Sequence, residues 1–441
     1  LPIRTTFEES TDPDVRMALA IALGKTKQDE ALASLISQYR QERDYRVKCN
    51  ILRALSNFPY EQCRTLITEA IQDENEHVAR RAVQYLLEKS APEDAAQWWG
   101  LAKDSLPTPV QLDLYQVANR HLPAYRTEYR DAINGELRSR FLSSNAPYEK
   151  AACLRALAEF PWNYRFLFRE GINAASPIVQ SAAFSALQQI SDREDFDEFF
   201  RSSARRVRQE LAEYFLAGIQ SKSGGMVAVA ASALRNEDHD YSTAFDSLTV
   251  LRQALDSLSL PAQVESYNEL ILTINHLAGN EDLEVLVPEY NHPIDWTQLE
   301  DATVLTLVTT RGEVTLSLWP TLAPGSVVNF IDLARSGFFD NTAFHRVVPN
   351  FVIQGGSPSG DAYGSMDYSI RSEFTDIHYD EEGLLGMASA GPDTEGTQFF
   401  ITHSPTLHLD GRYTVFGKVS DGMDVVHRIQ VGDRITSIQE R

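Results

Sequence analysis

Two periodicities divide the chain. From Asp14 to residue 287 apolar positions recur at helical spacing, and from Val304 onward they alternate as in half-buried strands. Val15 with Leu19, Ala22 and Leu23 occupies the i, i+4, i+7 and i+8 positions of one helix face. The same template fits Val47 with Ile51, Ala54 and Leu55, and Val78 with Ala82, Tyr85 and Leu86. It returns at Val110 with Leu114, Val117 and Ala118, and at Val179 with Ala183, Ala186 and Leu187, with a weaker copy around Cys153, Ala156 and Leu157. Successive starts from 15 to 110 lie 32, 31 and 32 residues apart. A fixed period of this size is what stacked helix pairs produce, because one pair alone cannot bury its apolar face.

Turn chemistry supports the repeat. Asp12-Pro13-Asp14, Thr108-Pro109 and Ser176-Pro177 each read as a cap followed by proline in the first helical turn. More variable helices such as Glu30–Arg40 lie between, and small i+7 residues let neighbours approach closely. Residues 1–287 therefore read as an α-solenoid that resembles HEAT-type repeats. From about residue 195 helices are expected at 206–215, 226–234, 244–255 and 262–277, while the period blurs. Trp98-Trp99 and the aromatics at 196–200 read as core, and the run from Arg201 to Arg208 as a solvated face paired with carboxylates. No catalytic constellation precedes residue 300, so this region reads as a scaffold that can hold a protein partner.

Pro288 to Trp296 carries two prolines and no helical period, and residues 288–302 read as a linker. Residues 303–441 then alternate. A hairpin is expected at 304–309 and 314–318, with a helix after Ala323-Pro324 that Gly337 ends. Phe344 to Gly356 reads as one strand in which Arg346 is a charge among Phe, Val and Ile. Further strands are expected at 368–374, 384–389, 397–402, 414–418 and 435–439, with a short helix at 423–429. Many short strands and two helices imply a closed antiparallel barrel.

The formal net charge of -22 argues against nucleic acid as a partner. No run of 18 apolar residues is present, so no transmembrane segment is expected. Cys49, Cys63 and Cys153 have no metal-ligand spacing and read as small buried side chains. No cofactor is expected.

Three ordered motifs then carry a second resemblance, to the cyclophilins. These are Phe344-His345-Arg346 with Phe351 and Gln354-Gly355-Gly356; Gly386-Met387-Ala388-Ser389-Ala390-Gly391-Pro392 with Gly396-Thr397-Gln398-Phe399-Phe400-Ile401; and Leu409-Asp410-Gly411 with Val415-Phe416-Gly417-Lys418-Val419. The likeness covers about 303–439 and implies a closed eight-stranded antiparallel barrel with two capping helices. The activity it implies is peptidyl-prolyl cis-trans isomerisation of protein clients, in support of folding, with proline-containing polypeptides as partners. The alternative is an interaction protein that binds proline segments and turns them over incidentally.

The resemblance assigns catalysis to Arg346, Gln354 and Phe351. It places substrate against His345, Val352, Ala388, Ser389, Ala390, Gln398, Phe400, His408, Leu409 and Tyr413. His345 suits a structural hydrogen bond as well as catalysis. Three positions depart from the best-known members: His408 stands for a pocket Trp, Val352 for Met and Tyr413 for a rim His. The first puts cyclosporin binding in doubt. The chain starts at Leu1 rather than Met, and with the likeness to bacterial-type members this favours an expectation of a bacterial envelope or periplasmic protein, a processed lipoprotein being one form of it, with the cytoplasm as the alternative.

Overall fold

Asp12 starts the first repeat helix as its sequence requires. Its carboxylate accepts hydrogen bonds from the Asp14 and Val15 amides at 2.8 and 3.3 Å, and Pro13 fills the first helical position. The computed structural model describes residues 2–123, 125–236, 241, 248–279, 283–286 and 303–440. The expected linker at 288–302 lies outside the described residues, as do the first residues of the helix expected at 244–255. The chain forms two compact units, Leu1–Asn163 and Tyr164–Arg441. The boundary between them falls inside the region read as one helical array.

The first unit contains α1 (Pro2–Glu9), α2 (Pro13–Thr26), α3 (Asp29–Gln41), α4 (Tyr45–Leu55) and α5 (Tyr60–Ala70). It continues through α6 (Glu76–Lys89), α7 (Ala95–Leu101), α8 (Thr108–His121), α9 (Thr127–Ser143) and α10 (Pro147–Ala158). Helix α2 packs on α4, α4 on α6, α6 on α8 and α8 on α10, while the intervening helices pack on their neighbours in sequence. All four template positions are buried in α4, α6 and α8. Helix α2 is rotated instead: Met17, Ala20, Leu23 and Gly24 are buried and Val15 is 40% exposed. Thr108 proves to be the first residue inside α8, with Pro107 at the cap. Trp98 is fully buried, its indole donating to Ser90 Oγ at 2.7 Å, and all three cysteines are buried and free.

The second unit opens with α11 (Tyr164–Ile172), α12 (Pro177–Ser191), α13 (Phe196–Phe200), α14 (Ala204–Ile219), α15 (Gly224–Leu234), α16 (Thr249–Ser257) and α17 (Val264–Ala278). Helices α11, α12, α15 and α17 pack in succession. The Arg201–Arg208 run behaves as a helix face: Arg208 lies 3.7 Å from the Phe196 ring centroid and Arg206 reaches Glu210 at 3.9 Å.

The same unit then builds an antiparallel sheet. Its elements are β1 (Thr303–Thr309), β2 (Gly312–Leu318), α18 (Pro324–Arg335), β3 (Arg346–Val348), β4 (Val352–Gly355) and β5 (Leu384–Met387). After these come β6 (Phe399–Thr402), β7 (Val415–Asp421), α19 (Met423–Val426) and β8 (Ile435–Glu440). The strand order is β3-β4-β6-β5-β7-β2-β1-β8. Two expectations change. The stretch read as a single strand is a hairpin, turned at Asn350 with φ 62°, a left-handed conformation that asparagine tolerates. The strand expected at 368–374 is a loop, joined by one isolated bridge between Ile370 and Glu395 to the loop that precedes β6.

One face of the sheet packs around Phe330, whose ring meets Phe339, Phe399 and Phe416 at centroid distances of 5.0, 5.2 and 5.3 Å. Helix α18 is capped from far along the chain. The Glu373 carboxylate accepts from the Gly325 and Ser326 amides, both at 2.9 Å, where the helix dipole favours an anion. The next link is Thr414, whose hydroxyl accepts from the Glu373 amide and donates to buried Glu395, each at 2.8 Å. Burial pushes the Glu395 carboxyl up to about 8. Among the described residues no helix is long and apolar enough to cross a membrane.

Two predictions test these features. A Cβ on Gly24 would meet Ala54 Cβ, O and Cα at 2.7, 2.8 and 2.9 Å, whereas one on Gly135 meets nothing within 4 Å. Gly135→Ala is therefore expected to stabilise by roughly 0.5–1 kcal/mol through helix propensity. In Gly24→Ala an overpacking cost of about 1–3 kcal/mol exceeds the same gain, so its thermal transition should fall while that of Gly135→Ala rises. For Glu395 the native carboxyl holds its proton more tightly than the unfolded chain does. Its contribution is intact below the ordinary carboxylate range and is lost as pH rises from there towards 8. Glu395→Gln should accordingly raise the unfolding temperature at pH 8 and change it little at pH 4, as read by calorimetry.

Candidate active site

The β3–β4 hairpin does the first positioning step. Its register sets Arg346 opposite Gln354 and Val348 opposite Val352. Alternation sends Val347 and Ile353 into the packed face of the sheet and leaves Arg346, Val352 and Gln354 on the other. Strand β6 then pairs with β4 so that Phe400 faces Gln354, and β5 sets Gly386 opposite Phe400. Gly386 has to be glycine here. A Cβ would lie 2.2 Å from Phe400 Cζ and 2.3 Å from the Tyr379 hydroxyl, so its absence is what lets the Phe400 ring lie over the strand.

The result is a second apolar cluster on the outer face of the sheet. Val352, Tyr379, Leu384, Phe400, Leu409 and Val415 are buried in it, and Phe351, Ala388 and Tyr413 pack against it half-buried. Phe400 meets Tyr413 edge-on at 5.8 Å, and Phe351 stacks on His408 at 5.3 Å with an interplanar angle of 24°. Five of the anticipated apolar residues (Phe351, Val352, Phe400, Leu409, Tyr413) thus share one cluster, with His408 at its exposed margin. Tyr379, Leu384 and Trp319, which support the floor, were not anticipated; only their contacts in space identify them.

Arg346 stands exposed over the rim, its guanidinium carbon 5.4 Å from the Phe351 ring centroid. Arg346 Nη1 donates to Gln354 Oε1 at 3.4 Å, Gln354 Nε2 to Gln398 Oε1 at 3.1 Å, and Gln398 Nε2 to the Ala362 carbonyl at 2.9 Å. This relay fixes both glutamine amides: each offers its oxygen towards the arginine side and its NH₂ away from it. His345 takes no part. Neither of its ring nitrogens meets a hydrogen-bond partner among the described residues, so the anticipated structural bond is not made. Burial first, and then Arg346, hold its imidazole down at about 4.

Ala388, Ser389 and Ala390 run along one side of the cluster. The Ala388 amide donates to Gln398 O at 2.9 Å and the Ala390 amide to Thr394 Oγ1 at 2.8 Å. No hydrogen bond engages Ser389 among the described residues, so its main-chain groups are not used by the neighbouring strands. Residues from the helical part of the unit also reach this region. Pro261, Ala262, Val264 and Glu265 line a cavity together with Gln354, Gln398 and Ser389. Nothing in the sequence motifs pointed to them.

Residues 304–440 match the family model of the cyclophilin type peptidyl-prolyl cis-trans isomerases. The chain is similar to peptidyl-prolyl cis-trans isomerase B of Bacillus subtilis, at 45% identity over 29% of this chain and 90% of that protein. It is similar to a peptidyl-prolyl cis-trans isomerase of Synechococcus elongatus, at 43% identity over 30% of this chain and 92% of that protein. A crystal structure of a cyclophilin type isomerase from Cryptosporidium parvum is 32% identical over 32% of this chain and 98% of that one, with a TM-score of 0.30. Through its C-terminal domain the chain belongs to the cyclophilin-type peptidyl-prolyl cis-trans isomerases, and it is an enzyme of that activity.

Proposed function

We propose that the outer apolar cluster binds the proline ring of a client polypeptide and that Arg346 stabilises the twisted prolyl amide above it. The peptide C–N bond resists rotation by about 18–20 kcal/mol because it is partly double. At the twisted geometry the prolyl nitrogen recovers its lone pair and becomes an acceptor. A cationic donor fixed beside it then binds the transition state more strongly than the planar ground state, which is the condition for acceleration. The observation that carries this reading is the Arg346 guanidinium held at the rim by Gln354, 5.4 Å from the Phe351 ring. No nucleophile or base is required, because only resonance is broken.

Lowering the barrier by ~7 kcal/mol would accelerate rotation about 10⁵-fold. Removing a single transition-state donor costs about 10²–10³-fold, so a substantial part falls to positioning. Phe351, Val352, Phe400, Leu409 and Tyr413 hold the ring. The open Ser389 main chain, between Ala388 and Ala390, accepts the client backbone as an added strand. Gln354 and Gln398 keep Arg346 aimed, and His408 extends the floor through Phe351. His345 acts as neutral packing behind the arginine.

The sheet is read as a closed barrel. Supporting this, the Phe344 amide donates to Asp433 O at 2.8 Å and the Gly432 amide to Phe344 O at 3.0 Å, linking the approaches to its first and last strands. The helices of 2–278 are read as HEAT-like pairs, supported by the stepwise packing of α2, α4, α6, α8 and α10. Stacks of this kind offer extended surfaces, so a protein-holding role suits them.

Arg346→Ala in the full-length chain is expected to lower kcat/KM for a proline tetrapeptide at least about 100-fold, and Arg346→Lys by less, since charge survives without the fork. Equal rates for wild type and Arg346→Ala would leave only the proline-binding reading. For an uncharged peptide, kcat/KM of the Glu265→Gln variant, which removes the cavity carboxyl that titrates at about 7, should be flat from pH 5.5 to 8. His345, the titrating group beside Arg346, stays neutral throughout that range because its native value sits at about 4. A rate that tracks an imidazole ionisation near pH 6.5 would contradict this mechanism.

A further inference from the structure

The cavity that adjoins the relay is built from two parts of the second unit. On one side stand Gln354, Gln398 and Ser389, and on the other Ala262 and Glu265 from the start of α17. Its volume is about 90 Å³, room for several waters or for the end of one long side chain. The joint around it is made by specific contacts. The Ser365 amide donates to the Ala262 carbonyl at 3.0 Å, and Gln398 Nε2 holds the same loop through the Ala362 carbonyl. Asp361 and Tyr363 of that loop close on Gly225 of α15, where a Cβ would come within 2.5 and 3.0 Å of them.

Among the described lining residues Glu265 is the one carboxylate. No hydrogen bond or ion pair engages it among the described residues. Burial, with Asp361 adding to it, pushes the Glu265 carboxyl up to about 7. A half-buried acid without a counter-ion is disfavoured in its charged form, and a cation brought beside it relieves that cost. The cavity shares Gln354 and Gln398 with the arginine relay and Ser389 with the open backbone edge. An extended peptide advances about 3.3 Å per residue, so a side chain entering the cavity belongs to a residue within a few positions of the proline.

We infer that Glu265 is a specificity residue, receiving the ammonium or guanidinium of a client Lys or Arg close to the isomerised proline. The inference rests on the proposed path of substrate along Ala388–Ala390. In it the helical part of the unit supplies one wall of the substrate groove and reads client sequence during turnover.

The test is an NMR exchange measurement of isomerisation by the full-length chain. Substrates are hexapeptides with one proline and a single Lys, Leu or Glu placed at each of three positions on either side. One position is expected at which Lys exceeds Leu by about five- to tenfold in kcat/KM and Glu falls below both. Glu265→Gln, with its unfolding transition checked, should bring that Lys/Leu ratio close to one. Ala262→Leu, which narrows the cavity, should lower the ratio of long to short side chains at the same position. Absence of any Lys preference, or its survival in Glu265→Gln, would overturn the inference. If the wild-type chain failed to isomerise even the Leu peptides, the groove assignment itself would fall and the inference with it.

Discussion

In the proposed mechanism a guanidinium has to be held over an apolar floor without being neutralised, and the rest of the site is read around that demand. A carboxylate partner would compete with the prolyl nitrogen for the same donors. Gln354 supplies a neutral acceptor instead, and its Nε2 donates to Gln398, which the Ala362 carbonyl holds in turn, so that the acceptor is kept turned the right way. The floor is dry for a separate reason. Gly386 gives up its side chain so that Phe400 can cover the strand, and Tyr379 supports the ring from below. Charge and apolar surface meet because a four-residue turn places them on the same face of adjacent strands.

That turn also shows where sequence reasoning reached and where it stopped. The distinctive motif order singled out Arg346, Gln354, Phe351 and Phe400, and the fold brings these four to one face of the sheet. The alternating pattern alone made Phe344 to Gly356 a single strand, since Pro349-Asn350 is a weak turn signal beside so many β-branched and aromatic neighbours. The left-handed Asn350 decides the matter. Residues 368–374 misled in the opposite direction. They have strand-like composition, yet their polar groups are taken by side chains: the Glu373 amide by Thr414 and the Ser372 amide by Asp393. Such bonds join residues 21 and 41 positions apart, which no local pattern encodes.

The helical region was legible for a simpler reason. Its burial repeats at a fixed interval, so Val47, Val78 and Val110 announce their neighbours four, seven and eight positions on. Helix α2 departs because its buried face is set by contact with α4, where Gly24 lies against Ala54. The place of residues 261–265 at the cavity was not readable at all. Their composition is that of any helix start, and only the fold brings Glu265 beside Gln354 and Gln398.

The floor lies on the outer surface of the sheet, while Phe330 and its partners fill the opposite face. With the proline bound there, as proposed, a client has no tunnel to thread. A proline in the middle of a long chain, or in a loop whose two ends are already folded, can be laid across the site sideways and lifted off again. On that proposal access is governed by how far a client loop stands clear of its own body, and a chain terminus confers no advantage.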